Sequence, residues 1–144
     1  MPLAQILSDP LIAPRLDPLL ERHQRSIEVL RQRSECKDGA VFFDLTDLEM
    51  EGYNKFIPYY LHPECTYSVG LSRSNFRNKV SVGSNPWTKR GDLVNLAKIC
   101  ERYGGGGHAR VGAISFDVSK GEEARKAARE IVAELRATAK GPGA

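Results

Sequence analysis

Five consecutive residues, Gly104-Gly105-Gly106-Gly107-His108, carry the strongest chemical signal in this 144-residue sequence. One glycine in the left-handed conformation is enough to end a helix. Each further glycine costs about 0.5–1 kcal/mol of backbone entropy relative to alanine. Four together make sense where the backbone must come very close to another group, and the group most often cradled by bare N–H groups is phosphate. A helix cap followed by a turn is the plainer alternative, and the phosphate cradle is the favoured reading. The predicted order here is helix, glycines, strand, whereas a P-loop or a dinucleotide fingerprint leads from strand into helix. His108 abuts the glycines and is placed to donate to a phosphate oxygen or to shuttle a proton. Gly105, Gly106, Gly107 and His108 are therefore the first candidate contacts.

A second polar cluster is Ser81-Val82-Gly83-Ser84-Asn85-Pro86-Trp87. Ser84 and Asn85 fall at the carboxyl end of a predicted strand, where α/β sheets present ligands. Trp87 offers a face for a base, although a single tryptophan more often packs under a loop. Residues 65–91 hold no acidic residue but carry Arg73, Arg77, Lys79, Lys89 and Arg90. A one-signed stretch of this kind suits an anionic ligand, and an exposed basic hairpin is the alternative. Metal ligation is not expected. His23, His62 and His108 stand far apart in sequence, and Cys36, Cys65 and Cys100 lack zinc-ligand spacing. There is no Gly-x-Ser-x-Gly elbow, so the residues suggest a binding surface without catalytic groups of its own.

The elements that must position these residues alternate between helix and strand periods, which predicts a single α/β domain. The expected order is α-β-α-β-β-α-β-α, a mixed sheet of about four to five strands flanked by helices. Residues 16–35 form a predicted amphipathic helix, with Asp17-Pro18 as its start and a stripe of Leu16, Leu20, His23, Ile27 and Leu30. Strands are expected over 40–45, 65–71, 79–83 and 108–118, with a loop over 49–54 and a short helix near 56–61. Asp92 reads as the cap of a helix running to Tyr103, and Ser119-x-x-Glu122 as a capping box before an apolar helical stripe from Ala124 to Leu135. The tail 140–144 is polar.

Composition fits that reading. Hydrophobic residues make up 41% and the net charge is +3, too small to name a nucleic-acid partner by itself. Three cysteines without pairs exclude a disulfide scaffold. The N-terminal apolar stretch is broken by Ser8-Asp9-Pro10, and no apolar run reaches membrane-spanning length. A soluble, cytoplasmic protein is expected, with no membrane partner.

The segment Ser81-Val82-Gly83-Ser84, the helix before Tyr103, the four glycines with His108, and Val111-Gly112-Ala113 together resemble the DHH-associated C-terminal domain. That domain belongs to the DHH-family phosphoesterases, hydrolases named for an Asp-His-His motif, and the wording is nearest an exopolyphosphatase-related branch. The resemblance covers about residues 36–138. It implies a substrate-recognition domain over 36–144, with 1–35 as an N-terminal segment and linker helix. Gly105, Gly106, Gly107 and His108, with Ser84, Asn85 and Arg110, would grip substrate phosphate; Arg73, Lys89 and Arg90 are candidates for auxiliary charge. Many relatives read Ser-Leu-Arg-Ser where this chain has Ser81-Val82-Gly83-Ser84, so the family's arginine is a glycine here. Relatives also read Ala-Ala-Gly after the histidine. Two manganese ions would be held by a separate catalytic domain, with no metal or other cofactor on this chain, which alone would be catalytically silent. Expected ligands are a phosphorylated small molecule, a short oligonucleotide or polyphosphate. Expected partners are a DHH catalytic domain or a second copy, met through the N-terminal helix. The alternative is a non-catalytic nucleic-acid-binding or regulatory module, and a blander one is a protein-interaction domain.

Overall fold

A computed structural model describes residues 2–48 and 53–139. The elements are α1 (Leu3–Leu7), α2 (Ala13–Arg33), β1 (Glu35–Lys37), β2 (Ala40–Asp44), α3 (Ile57–Leu61), β3 (Tyr67–Arg73), β4 (Arg77–Ser84), α4 (Leu96–Glu101), β5 (Gly106–His108), β6 (Val111–Asp117) and α5 (Gly121–Ala139). Most of the expected 49–54 loop and the 140–144 tail lie outside the described residues. The sheet has six strands in the order β1-β2-β3-β4-β6-β5. Only β2 and β3 run parallel; the other neighbours are antiparallel.

The two strands beyond the expected count are three residues long. β1 folds back on β2 through Asp38 and Gly39, whose φ of 48° and 82° are those of a tight primed turn. β5 is made from the glycines themselves, paired with β6 across the Ala109-Arg110 turn.

Opposed residues in neighbouring strands share a face, so the register sorts the sheet into two sides. Tyr67, Val69, Leu71, Val80, Val82 and Ile114 face α4 and α5 and form the main core with Leu96, Cys100, Ala124, Ala128, Ile131 and Leu135. The other side carries two rows of small or polar residues: Ser68-Gly83-Val111-His108 and Gly70-Ser81-Ala113-Gly106. A smaller core of Leu30, Val41, Phe43, Leu45, Ile57 and Cys65 covers only the β2 end of that side. The rest stays open because nothing large projects from those rows.

Four local expectations differ. Helix α2 begins at Ala13, with Pro14 in its first turn, so Asp17-Pro18 lies inside it. Its stripe is buried only near the C-terminal end, where Leu30 is fully buried while Leu20 is 48% exposed. Helix α4 is capped by Asn95, whose side chain accepts from the Lys98 N–H. Asp92 is instead gripped by Arg90, with Nε and Nη2 on the two carboxylate oxygens at 3.1 and 3.0 Å. Finally, the Ser119 hydroxyl donates to Asp117 rather than forming a capping box with Glu122.

Two arginines on α5 fix the sheet's ends. Arg125 reaches Asp44 at 3.3 Å and the Thr46 hydroxyl at 3.3 Å. Arg136 donates to the carbonyls of Glu35, Lys37 and Ala40. The chain also carries one disulfide, Cys36–Cys65, where the spacing suggested no pair. The pairing arises from the fold: the Gly39 carbonyl accepts from the N–H groups of Thr66 and Tyr67, which brings the β1–β2 turn against the start of β3. Among the described residues no helix is long and apolar enough to cross a membrane.

Candidate functional site

The open side of the sheet holds a cavity of about 520 Å³. Its floor is the small-residue rows, with Ser68, Ser81, Gly83 and Val111 exposed to it. Its wall is the segment that crosses from β2 to β3, which supplies Tyr53, Lys55, Phe56, Pro58 and Tyr59. The Phe43 ring lies over Gly70, close enough that a Cβ there would collide with it, and meets Tyr53 edge-on at 5.4 Å. Tyr59 is buried and shares a 2.8 Å hydrogen bond with Ser68. Burial pushes its phenol well up, so it stays neutral at physiological pH.

Tyr59 also accounts for the glycine at position 83. A Cβ on Gly83 would stand 2.8 Å from the Tyr59 hydroxyl and 3.3 Å from Ser68 Oγ. The tyrosine therefore occupies the space into which the arginine of the resembled family would project.

At the mouth, among the described residues, three cations, Lys55, Arg90 and Arg110, line the cavity together with no acidic residue. Arg90 is committed to Asp92 and holds that carboxyl below its usual range by hydrogen bonding. Lys55 sits over the Phe56 ring at 5.3 Å. Phe56 in turn meets Trp87 with centroids 5.7 Å apart. Trp87 is 68% exposed, so it does not pack beneath a loop; it stands outside the cavity lining and meets it through Phe56. Arg110 projects from the β5–β6 turn, whose carbonyl at Arg110 accepts from both the N–H and the hydroxyl of Ser84.

Of the residues singled out from sequence, Ser84, Asn85, Arg90 and Arg110 line the cavity. Asn85 does so as a structural brace. Its Nδ2 donates to the carbonyls of Pro63 and Cys65, and its Oδ1 accepts from the Trp87 N–H. Gly106, Gly107 and His108 form β5, along the edge of the same open side rather than in the cavity wall, and Gly104 and Gly105 lead into it. Packing explains three of them. Gly104, at φ 86°, ends α4; Gly105 and Gly107 run so close to the backbone of β6 that a Cβ would collide with the carbonyls of Ala113 and Val111. At Gly106 a Cβ would meet open space without the positive φ that accounts for Gly104. Lys89 is exposed beside Arg90. Arg73 does not line the cavity. It pairs across from Asn78 at the far end of the strands, about 20 Å of chain from Ser84, and borders a shallow depression with Thr46 and Arg125. The wall residues Tyr53, Lys55, Phe56 and Tyr59 were not singled out; their signal was the aromatic density of residues 53–60.

The donor set of the cavity does not suit two manganese ions. Its lining holds neither a carboxylate nor an imidazole, which are the ligands such ions take. Among the described residues one gathering of such groups lies elsewhere: ligand atoms of Cys36, His62 and Glu64 are within 4.8 Å of one another.

Comparison with protein-family models and with curated proteins gives no match. Solved structures do match. A pGpG-specific phosphodiesterase, PggH of Vibrio cholerae, superposes with a TM-score of 0.79 at 23% identity, over 94% of this chain and 46% of its own. This chain has the fold found in that phosphodiesterase. An exopolyphosphatase-related protein of Bacteroides fragilis follows at a TM-score of 0.57 and 18% identity, over 83% of this chain and 36% of its own. The resemblance to the DHH-associated domain near its exopolyphosphatase-related branch thus holds at the level of the fold. The chain spans less than half the length of either protein.

Proposed function

We propose that the chain is the substrate-recognition part of a phosphoesterase, and that it takes a short 5′-phosphorylated oligonucleotide. The observation that carries this reading is a cavity in which aromatic faces and cations converge with no acidic group among the described residues. Phe56 in the lining and Trp87 beside it offer stacking surfaces for a base. Arg110 supplies a charge-assisted partner for a phosphate, with His108 one residue beyond Val111 along the same row. The similarity to a protein described as pGpG-specific supports a dinucleotide with a terminal phosphate. Hydrolysis belongs to metal-holding residues that this cavity lacks, so no chemical step is assigned to it.

The test is a calorimetric titration with pGpG, unphosphorylated GpG and inorganic polyphosphate. pGpG is expected to bind, GpG more weakly, and Arg110→Ala to weaken pGpG by about 10- to 100-fold while leaving GpG nearly unchanged. Equal binding of GpG and pGpG would sink the phosphate assignment. A steep salt dependence, about −0.7 per phosphate on a log–log plot, would favour the nucleic-acid-tracking alternative.

A further inference from the structure

We propose that Cys36, Cys65, His62 and Glu64 form a zinc-type site when the two cysteines are reduced, and that the disulfide is its oxidised, metal-free form. The four residues come from two places. Cys36 sits on β1, and His62-Pro63-Glu64-Cys65 is the turn between α3 and β3. Ligand atoms of Cys36, His62 and Glu64 lie within 4.8 Å of one another, and the sulfur of Cys65 is bonded to that of Cys36. Three donors, a sulfur, an imidazole nitrogen and a carboxylate oxygen, thus gather together, and a second sulfur is attached to the first. This mixed set suits a tetrahedral borderline-soft cation, and it is wrong for calcium or magnesium, which take oxygen shells of six or more.

Two further observations point the same way. His62 has no hydrogen bond to fix its ring: Nδ1 is 3.7 Å from Glu64 Oε1, and Nε2 is buried without any partner. Buried nitrogens of that kind are rare in folded proteins, and a bound ion is one of the standard reasons for them. The backbone that carries three of the donors is also held in place beforehand. The Cys65 N–H donates to the His62 carbonyl at 3.0 Å and the His62 N–H to the Pro58 carbonyl at 2.9 Å. Asn85 clamps the carbonyls of Pro63 and Cys65 from the other side. With the Cα atoms of the cysteines 6.9 Å apart, two thiolates reach the separation of about 3.8 Å that tetrahedral zinc requires by side-chain rotation.

The interconversion balances simply. A dithiol reductant gives two electrons and two protons to the disulfide and is itself oxidised to a disulfide. Zinc then displaces both thiol protons to solvent and binds the thiolates with no further electron transfer.

The test uses the whole chain, reduced anaerobically with a phosphine that is then removed, and titrated with Co²⁺ and Zn²⁺. One equivalent of Co²⁺ is expected to give a thiolate-to-cobalt charge-transfer band and the visible bands of a tetrahedral ion, both erased by one equivalent of Zn²⁺. The oxidised chain should show neither. Cys100→Ser should keep both bands, Cys36→Ser should lose the charge-transfer intensity, and His62→Ala should weaken zinc at least about tenfold in competition with a chromophoric chelator. A reduced chain that stays folded and binds no cobalt overturns the proposal. So does a chain that unfolds on reduction without refolding on zinc, or a site that Cys100→Ser removes.

Discussion

Within the glycine run that the sequence singled out, packing separates one member from its neighbours. Gly105 and Gly107 are small because the β6 backbone is against them, and Gly106 is the member that packing leaves unexplained. Their alanine variants should therefore separate. Gly105→Ala is expected to cost on the order of 1–3 kcal/mol in denaturant unfolding, since the added methyl must displace main chain. Gly106→Ala is expected to leave stability unchanged or slightly raised, yet to weaken pGpG if its bare N–H approaches the phosphate. Calorimetry and urea melts on the same two proteins check this. At this scale the sequence was legible as to place: Arg110 and Asn85 both line the cavity. It did not show that the Asn85 amide is consumed internally. No local pattern reveals that a polar side chain is already spent.

At the scale of elements, α2 is two different things along its length. Its last turns bury Ser26 and Leu30, whereas Leu19 and Leu20 face solvent at 59% and 48% exposure. Leu20→Ala should change stability by less than about 0.5 kcal/mol, and Leu30→Ala should cost about 2–5 kcal/mol, both read from denaturant midpoints. The periodic stripe announced the helix correctly but not which part of it would be covered, because periodicity reports a face and not what packs on it. β1 and β5 escaped for a related reason. Three residues are too few to show alternation, and glycines carry no side chains to alternate. At the other end of the fold, the Asp44 carboxyl is pushed up by burial but drawn down further by hydrogen bonds from Thr46 and by Arg125, for a net depression. A depressed carboxylate stabilises the folded state above its unfolded value of about 3.9, and that contribution is lost as pH falls through the lower folded value. Acid titrations of folding should thus show Asp44→Asn insensitive to part of the loss seen below about pH 4 in the unaltered chain.

For the molecule as a whole, composition and the alternation of periods were sufficient for the α/β class, and the register then decided where an open side could exist. That side could not have been located from the sequence, because it depends on four strands placing their small residues in common rows. The cavity's floor and wall also have separate origins. The floor is antiparallel sheet, while the wall rides on the connection between the only two parallel strands, β2 and β3. Parallel partners must be joined by a crossover, so the segment that forms the wall is the one that makes this pairing possible. A ligand seated there touches both sides of that seam and acts as a stitch across it. Opening β2 from β3 would have to expel the ligand first, so amide exchange at Val41, Phe43 and Val69 should slow in proportion to 1 + [L]/Kd as pGpG is added. Occupancy would then be recorded in the lifetime of the fold itself.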